Sequence, residues 1–280
     1  MMKDLPFSEQ SRATRAAEHV LVDLGQVLAS YMDRMVLVGG LSPGLLFMEA
    51  DPSHSGSIDV DIALKAEALE GGDYARLLEA LIETGRYRLS TDPNRRFRLT
   101  TTVPLNDGLP EVVVPVDFLA SPTAKFHKDD DSRFTDFRIL QADGCETAFN
   151  DPVTCSLVDR PNAAGALNTV IWRVVAVENL LVMKSYALAG REKAKDAYDI
   201  VFCLNQLRQI GELRQTSEKW SKRKDEKDVQ TARNILAEKF KSLNHIGPQW
   251  YADYLHAGDR DFNTRMAFEL VKEFLRQESE

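Results

Sequence analysis

The chain has 280 residues, enough for one large domain or two small ones, and its 44% hydrophobic and 28% charged residues exclude a collagen-like, low-complexity or disordered protein. A formal charge of -8 argues against a broad, sequence-blind clamp on nucleic acid, leaving local basic runs at 94–98 (NRRFR), 191–195 (REKAK) and 218–227 (EKWSKRKDEK). The first twenty residues are polar and mixed in charge, no apolar run reaches the roughly 18 residues of a membrane span, and Cys145, Cys155 and Cys203 share no CxxC spacing, so the expectation is a cytoplasmic protein with reduced thiols and no membrane partner.

In chain order, residues 8–31 set Ala16, Val20, Leu24, Val27, Leu28 and Tyr31 on one stripe and predict an amphipathic helix. Strand-type runs follow at 35–38 (MVLV), 58–64 (IDVDIAL), 87–90 (YRLS), 97–103 (FRLTTTV) and 111–119 (EVVVPVDFL). Between them, 73–85 predicts a helix with Ala75, Leu78, Leu81 and Ile82 buried and Gly85 at its C-terminal stop. From about Thr169 the periodicity is helical, with no convincing strand. These elements predict an α/β (α+β) fold: a mixed sheet flanked by helices over 1–165, then an α-helical domain over 166–280. The break is expected in the Pro- and Gly-containing stretch 159–167 (DRPNAAGAL).

Two features carry chemistry. Gly39 and Gly40 follow an apolar strand, and Ser42 and Pro43 read as an N-cap and first helical residue, so the turn offers a helix N-terminus suited to phosphate. Plain turn chemistry explains the same residues. On the next strand, alternation points Ser57, Asp59, Asp61 and Ala63 one way and Ile58, Val60 and Ile62 the other. Paired carboxylates suit Mg²⁺ or Mn²⁺, whereas a solvent-facing strand edge is the bland alternative. Asp117, interrupting the apolar run 111–119, is a candidate third ligand, and three carboxylates on adjacent strands could hold ions that bridge a triphosphate.

This order of glycine pair, short helix, DVD strand and later strand aspartate resembles the nucleotidyltransferase superfamily that includes DNA polymerase β. The stretch 183–204 (MKSYALAGREKAKDAYDIVFCL) further resembles the helical signature of the AbiEii/AbiGii toxin group, with its Lys, Arg and KDxYDI element. The resemblance implies a nucleotidyltransferase-like sheet, NTP as substrate and Mg²⁺ or Mn²⁺ as cofactor. It implies that Gly39, Gly40, Ser42 and Ser57 contact the triphosphate, that Asp59, Asp61 and Asp117 bind metal, and that Asp117 activates the acceptor hydroxyl. Lys184 and Arg191 would contact NTP phosphates, Lys195 and Asp199 would join them, and Asp196 would be the functional acid of KDxYDI. An RNA end, tRNA above all, or a protein hydroxyl would be the acceptor, and a cognate antitoxin a partner. A degenerate nucleotide-binding or protein-interaction module is the competing expectation.

The sequence also departs from the pattern. Ser55 and Ser57 stand where relatives often carry Arg and Thr, the loop 49–57 (EADPSHSGS) is an apparent insertion that reads as a lid or specificity loop, and Pro115 is unusual for a central strand. His54 in that loop reads as solvated rather than basic machinery. On one unbroken helix Lys184, Arg191, Lys195 and Asp199 would share a face. If Gly190 ends it, two helices meet at a turn; a salt-bridged surface helix is the plain reading. Trp172, Trp220 and Trp250 read as packing residues.

Overall fold

The computed structural model describes residues 7–67, 73–124, 139–191, 193–256 and 258–276. The chain is mixed α/β and divides into two compact units, Met1–Met48 with Ser53–Ala176, and Glu49–Pro52 with Val177–Glu280. Among the described residues no helix is long and apolar enough to cross a membrane.

The first unit opens with helix α1 (Phe7–Val27), followed by strand β1 (Met35–Val38), the one-turn helix α2 (Ser42–Leu46), β2 (Val60–Leu64) and helix α3 (Asp73–Glu83). Strands β3 (Arg88–Leu89), β4 (Arg98–Val103), β5 (Val112–Ala120), β6 (Leu140–Gln141), β7 (Val153–Pro161) and β8 (Leu167–Val174) complete it. They form one eight-stranded sheet in the order β3-β4-β5-β2-β1-β8-β7, with β6 paired to β5. β2 runs antiparallel to β1 and parallel to β5, so the sheet is mixed. Every residue of β1 is buried, which is what an apolar run without alternation requires of an interior strand.

The expected stripe of α1 is observed: Ala16, Val20, Leu24 and Leu28 are fully buried against the sheet. Close approach is set at Gly25, where an added Cβ would lie 2.9 Å from Val170 Cβ and 3.0 Å from Trp172 Nε1. The indole of Trp172 donates to the Leu21 carbonyl at 3.0 Å, pinning helix to strand. Buried Asp23 fixes the other side of α1. It accepts from Tyr87 Oη at 2.7 Å and from the Arg86 guanidinium at 3.1 and 3.2 Å. Burial first, then the Asp23 charge, hold the Tyr87 phenol well above its ordinary pKa, so it stays a donor.

Three expectations are corrected here. The stretch 159–167 is not a linker but the turn of the β7–β8 hairpin, where Pro161 pairs with Leu167 and Arg160 with Asn168. Helical periodicity therefore begins at Val177, because 167–174 alternates buried Val170, Trp172 and Val174 with exposed Ile171 and pairs as a strand. The buried stripe of α3 is Tyr74, Leu77, Leu78 and Leu81, turned one position from the expected one.

The second unit is helical: α4 (Val177–Gly190), α5 (Ala194–Gln209), α6 (Leu213–Lys222), α7 (Lys227–Lys239), α8 (Ile246–Leu255) and α9 (Arg260–Arg276). Trp220 packs edge-on to Phe274 with centroids 5.1 Å apart and donates to the Glu178 carbonyl at 2.9 Å. Tyr198 packs on Tyr254 at 4.7 Å and stacks with Tyr251 at 6.3 Å. Trp172 and Trp220 are thus core residues.

Because Asp23 satisfies a buried phenol and a guanidinium at once, Asp23→Ala is expected to destabilise the protein by about 2–3 kcal/mol, read as a lowered denaturant midpoint at unchanged slope.

Candidate functional site

At the centre of the sheet, register decides which side chains meet. β2 pairs with β5 so that Asp61 stands opposite Asp117, and β4 pairs with β5 so that Arg98 stands opposite Asp117 from the other side. β2 is an interior strand, so Asp61 is not at a solvent-facing edge. Asp59 sits at the bend just before β2, which starts at Val60 rather than Ile58. Asp59, Asp61 and Asp117 each present an oxygen, and these three atoms lie within 4.8 Å of one another. Three carboxylates so placed could hold a metal ion.

Arg98 is the cation of this group. Its Nε donates to Asp117 Oδ1 at 2.8 Å, its second nitrogen to Oδ2, and it lies 4.0 Å from Asp59. Asp117 is buried, and burial raises its carboxyl pKa; Arg98 opposes the shift and Asp59 adds to it. The same fork raises the pKa of Arg98, chiefly through its hydrogen bonds to Asp117. Tyr74 of α3 packs edge-on to Phe118 and feels the Asp117 charge, though burial is the larger cause of its raised phenol pKa. The basic run 94–98 therefore contributes Arg98 inward, not to a surface patch.

Pro115 fits β5 because it lies one residue before the β2 ladder begins at Val116, where β5 pairs only with β4, at Thr100. The proline thus removes no donor from the pairing that sets Asp61 beside Asp117.

The glycine turn bears directly on Asp61. Gly39 has φ +73, and an added Cβ there would lie 2.0 Å from Asp61 Oδ2 and 2.7 Å from its Cβ. The turn is glycine because the carboxylate occupies the space of a side chain. Gly40 is buried in the same turn. Ser42 differs from its expected role: it is the first residue of α2 rather than an N-cap, is fully buried, and turns its hydroxyl back to the Leu37 carbonyl at 3.4 Å. Ser57 does reach the triad, donating to Asp59 Oδ1 at 2.6 Å.

The loop 49–57 is only partly a surface excursion. Ser55, Gly56 and Ser57 are buried, and Gly56, at φ +78, is pressed on α1 so that a Cβ would lie 2.0 Å from Thr14 Oγ1. His54 Nδ1 accepts from the Gly56 amide at 3.0 Å, a local turn contact.

In the second unit the KDxYDI residues form their own cluster. Gly190 ends α4 and Ala194 opens α5, so the two-helix arrangement is the one present. Lys184 Nζ lies 2.6 Å from Asp199 Oδ2 and 3.4 Å from Asp196 Oδ1. Arg191 forks onto Asp196 with both contacts at 2.9 Å, and Lys195 donates to Asp199 at 2.8 Å. Burial works against the Lys184 charge, but Asp199 and Asp196 outweigh it and hold its pKa above the ordinary lysine range. Glu192, within the basic run 191–195, lies outside the described residues.

The sequence singles out every member of both clusters except the role of Arg98. That role needed the β4–β5 register, which the intervening turn conceals. No family model matches the chain, and no curated protein or solved structure matches it.

Gly39→Ala is expected to lower both the denaturant midpoint and Mn²⁺ affinity, read by calorimetry. Gly165→Ala is the control: it shares a positive φ of +84 but meets nothing within 4 Å, so it should show only the backbone cost of about 1 kcal/mol. Lys184→Met leaves two carboxylates buried without their central cation and should destabilise the protein by about 3–5 kcal/mol.

Proposed function

We propose that the protein is a metal-dependent nucleotidyltransferase that moves a nucleoside monophosphate from an NTP to an acceptor hydroxyl and releases pyrophosphate. The convergence of Asp59, Asp61 and Asp117 within 4.8 Å is the observation that supports this reading. The donor set fits Mg²⁺ or Mn²⁺: all three are hard carboxylate oxygens, and among the described residues Arg98 is the arginine in contact with them. When bound, the metal supplies charge neutralisation of the triphosphate and of the displaced pyrophosphate.

The chain's own residues do the rest. Asp117, its basicity raised by burial and tempered by Arg98, takes the proton of the acceptor hydroxyl as that oxygen bonds to the α-phosphorus and the bond to pyrophosphate breaks. Ser57 orients Asp59, and the Gly39–Gly40 turn keeps side chains away from the space beside Asp61. In the second unit, among the described residues, Lys184, Arg191 and Lys195 face Asp196 and Asp199, a group of cations that suits phosphate. An RNA 3′ end, tRNA in particular, is the acceptor that follows from the resemblance to the AbiEii group, with a protein hydroxyl second and a cognate antitoxin as partner.

One observation favours a second reading, a nucleotide-binding module without turnover: Arg98 engages both oxygens of Asp117, which leaves one lone pair on each for a metal and for the proton of an acceptor.

Incubation with each α-labelled NTP, Mg²⁺ or Mn²⁺ and total RNA is expected to yield labelled RNA. The paired Asp59→Ala and Asp61→Ala variant should lose at least about a hundredfold in rate, the several kcal/mol a metal contributes. Transfer unchanged by those substitutions would overturn the enzyme reading. Calorimetric binding of NTP and Mn²⁺ without labelled product would favour the module, and absence of both would overturn both.

A further inference from the structure

The strand pairings place a row of arginines beside the aspartate triad. Residues 86–98 (RYRLSTDPNRRFR) hold five arginines against the single acid Asp92, in a chain whose formal charge is -8. Two of the five face buried acids: Arg86 bonds Asp23, and Arg98 forks onto Asp117. Arg88, Arg95 and Arg96 are exposed. Arg95 makes an ion pair with Asp92 at 3.5 Å, both side chains being close to half exposed. Such a surface pair contributes about 0–1 kcal/mol and exchanges readily for another anion.

Register sets these side chains on the face that holds the carboxylates. Arg88 pairs with Thr100 on β4, where alternation puts Thr100 and Arg98 on one side, and Arg98 pairs with Asp117, which pairs with Asp61. The other side of β4 and β5 is the core, with Leu99, Val103, Val114 and Val116 buried. On the triad's side Thr102 and Val113 are exposed and Thr100 is half-buried, so the way from Arg88 to Asp117 is open. Arg95, in the turn that leads into β4, is near enough to act on the Asp117 charge. Across the sheet the order is Arg88 on β3, Arg98 on β4, Asp117 on β5 and Asp61 on β2, with the Gly39 turn following β1. At about 4.8 Å per strand, β3 lies about 10 Å from Asp117, on the side away from that turn.

A partner that fits this edge repeats negative charge along its length and ends beside Asp117. About 10 Å spans roughly three phosphates at the 3.4 Å rise of a stacked strand. The planar fork of arginine matches phosphate oxygens, and the Thr102 hydroxyl adds a donor on the same face. We propose that the β3–β4 edge is the surface that receives the acceptor: a single-stranded polynucleotide lays its last phosphates on Arg88, Arg95 and Arg96 and presents its terminal hydroxyl to Asp117 from the side opposite the Gly39 turn. Delivery of the hydroxyl rests on the nucleotidyltransferase reading, whereas the arginine surface rests on charge and register. The negative charge of the whole chain is no obstacle, because three local contacts replace a broad clamp.

The test uses the full chain and an unstructured RNA oligonucleotide, labelled with fluorescein at its 5′ end, in anisotropy titrations without NTP over a range of salt. Arg88→Gln, Arg95→Gln and Arg96→Gln combined should weaken RNA binding at least about tenfold and lower the slope of log affinity against log salt by about 2, at about 0.7 per phosphate contact. Arg88→Gln alone should lower that slope by about 0.7, and serves if the combined variant fails to fold. Arg160→Gln, exposed on β7 at the opposite edge of the sheet, should change neither quantity. Calorimetric affinity for NTP with Mn²⁺ should be the same in the combined variant as in the wild type. No RNA binding up to about 100 μM at low salt would overturn the proposal. So would undiminished RNA affinity in the folded variants, an equal loss with Arg160→Gln, a matching loss of NTP affinity, or equal competition by polyglutamate. RNA held through the arginines without transfer of label would keep the surface and overturn the enzyme reading; transfer of label with RNA affinity untouched by the arginine variants would do the reverse.

Discussion

Asp61 and Asp117 face each other across two neighbouring interior strands, with oxygens of the triad inside 4.8 Å. Two full charges at that distance repel by about 3 kcal/mol at an effective dielectric constant of 20. The surroundings of the pair answer that repulsion. β4 runs antiparallel to β5 in the register that sets Arg98 beside Asp117, its fork taking both oxygens. Gly39 withholds a Cβ so that Asp61 has room away from its neighbour, and Ser57 donates to Asp59. Among the described residues Arg98 lies in contact with Asp117 and Asp59 and Arg95 acts on Asp117 from farther off, and the group could hold a metal ion.

The helical unit meets a similar problem with the opposite sign. Asp196 and Asp199 are almost fully buried, and three cations converge on them: Lys184 from α4, Arg191 from the turn and Lys195 from α5. Among the described residues, three cations meet two acids. A buried lysine between two carboxylates joins the two helices across the break at Gly190, so the cluster is a brace whatever else it binds.

Much of this was legible from residue order. The strands 35–38, 58–64, 97–103 and 111–119, the stripe of α1 and the trio Asp59, Asp61 and Asp117 follow from periodicity and from charged residues in apolar runs. What escaped is what depends on pairing between distant segments. Arg98 sits in a basic run that reads as surface, and only the β4–β5 register turns it toward Asp117. The stretch from Thr169 reads as the start of a long helix because it merges into the apolar pattern of α4; the alternation of β8 counts only once β7 and β1 flank it. Ser42 looked like a cap because Ser-Pro after glycine usually is one, yet the close packing of α2 buries its hydroxyl against Leu37.

The hydrogen bond from Trp172 to the Leu21 carbonyl spans 151 residues of chain, and Gly25 packs against Val170 in the same region. The first helix can dock on β2, β4, β5 and Tyr87 earlier, but its burial is complete only when nearly the whole first unit has been made. During synthesis from the N-terminus the part of the helix around Leu21 and Gly25 waits for Val170 and Trp172 of β8. Folding of this unit is governed by late, long-range closure rather than by local helix formation, a topology that folds slowly and leaves the nascent helix in need of shielding.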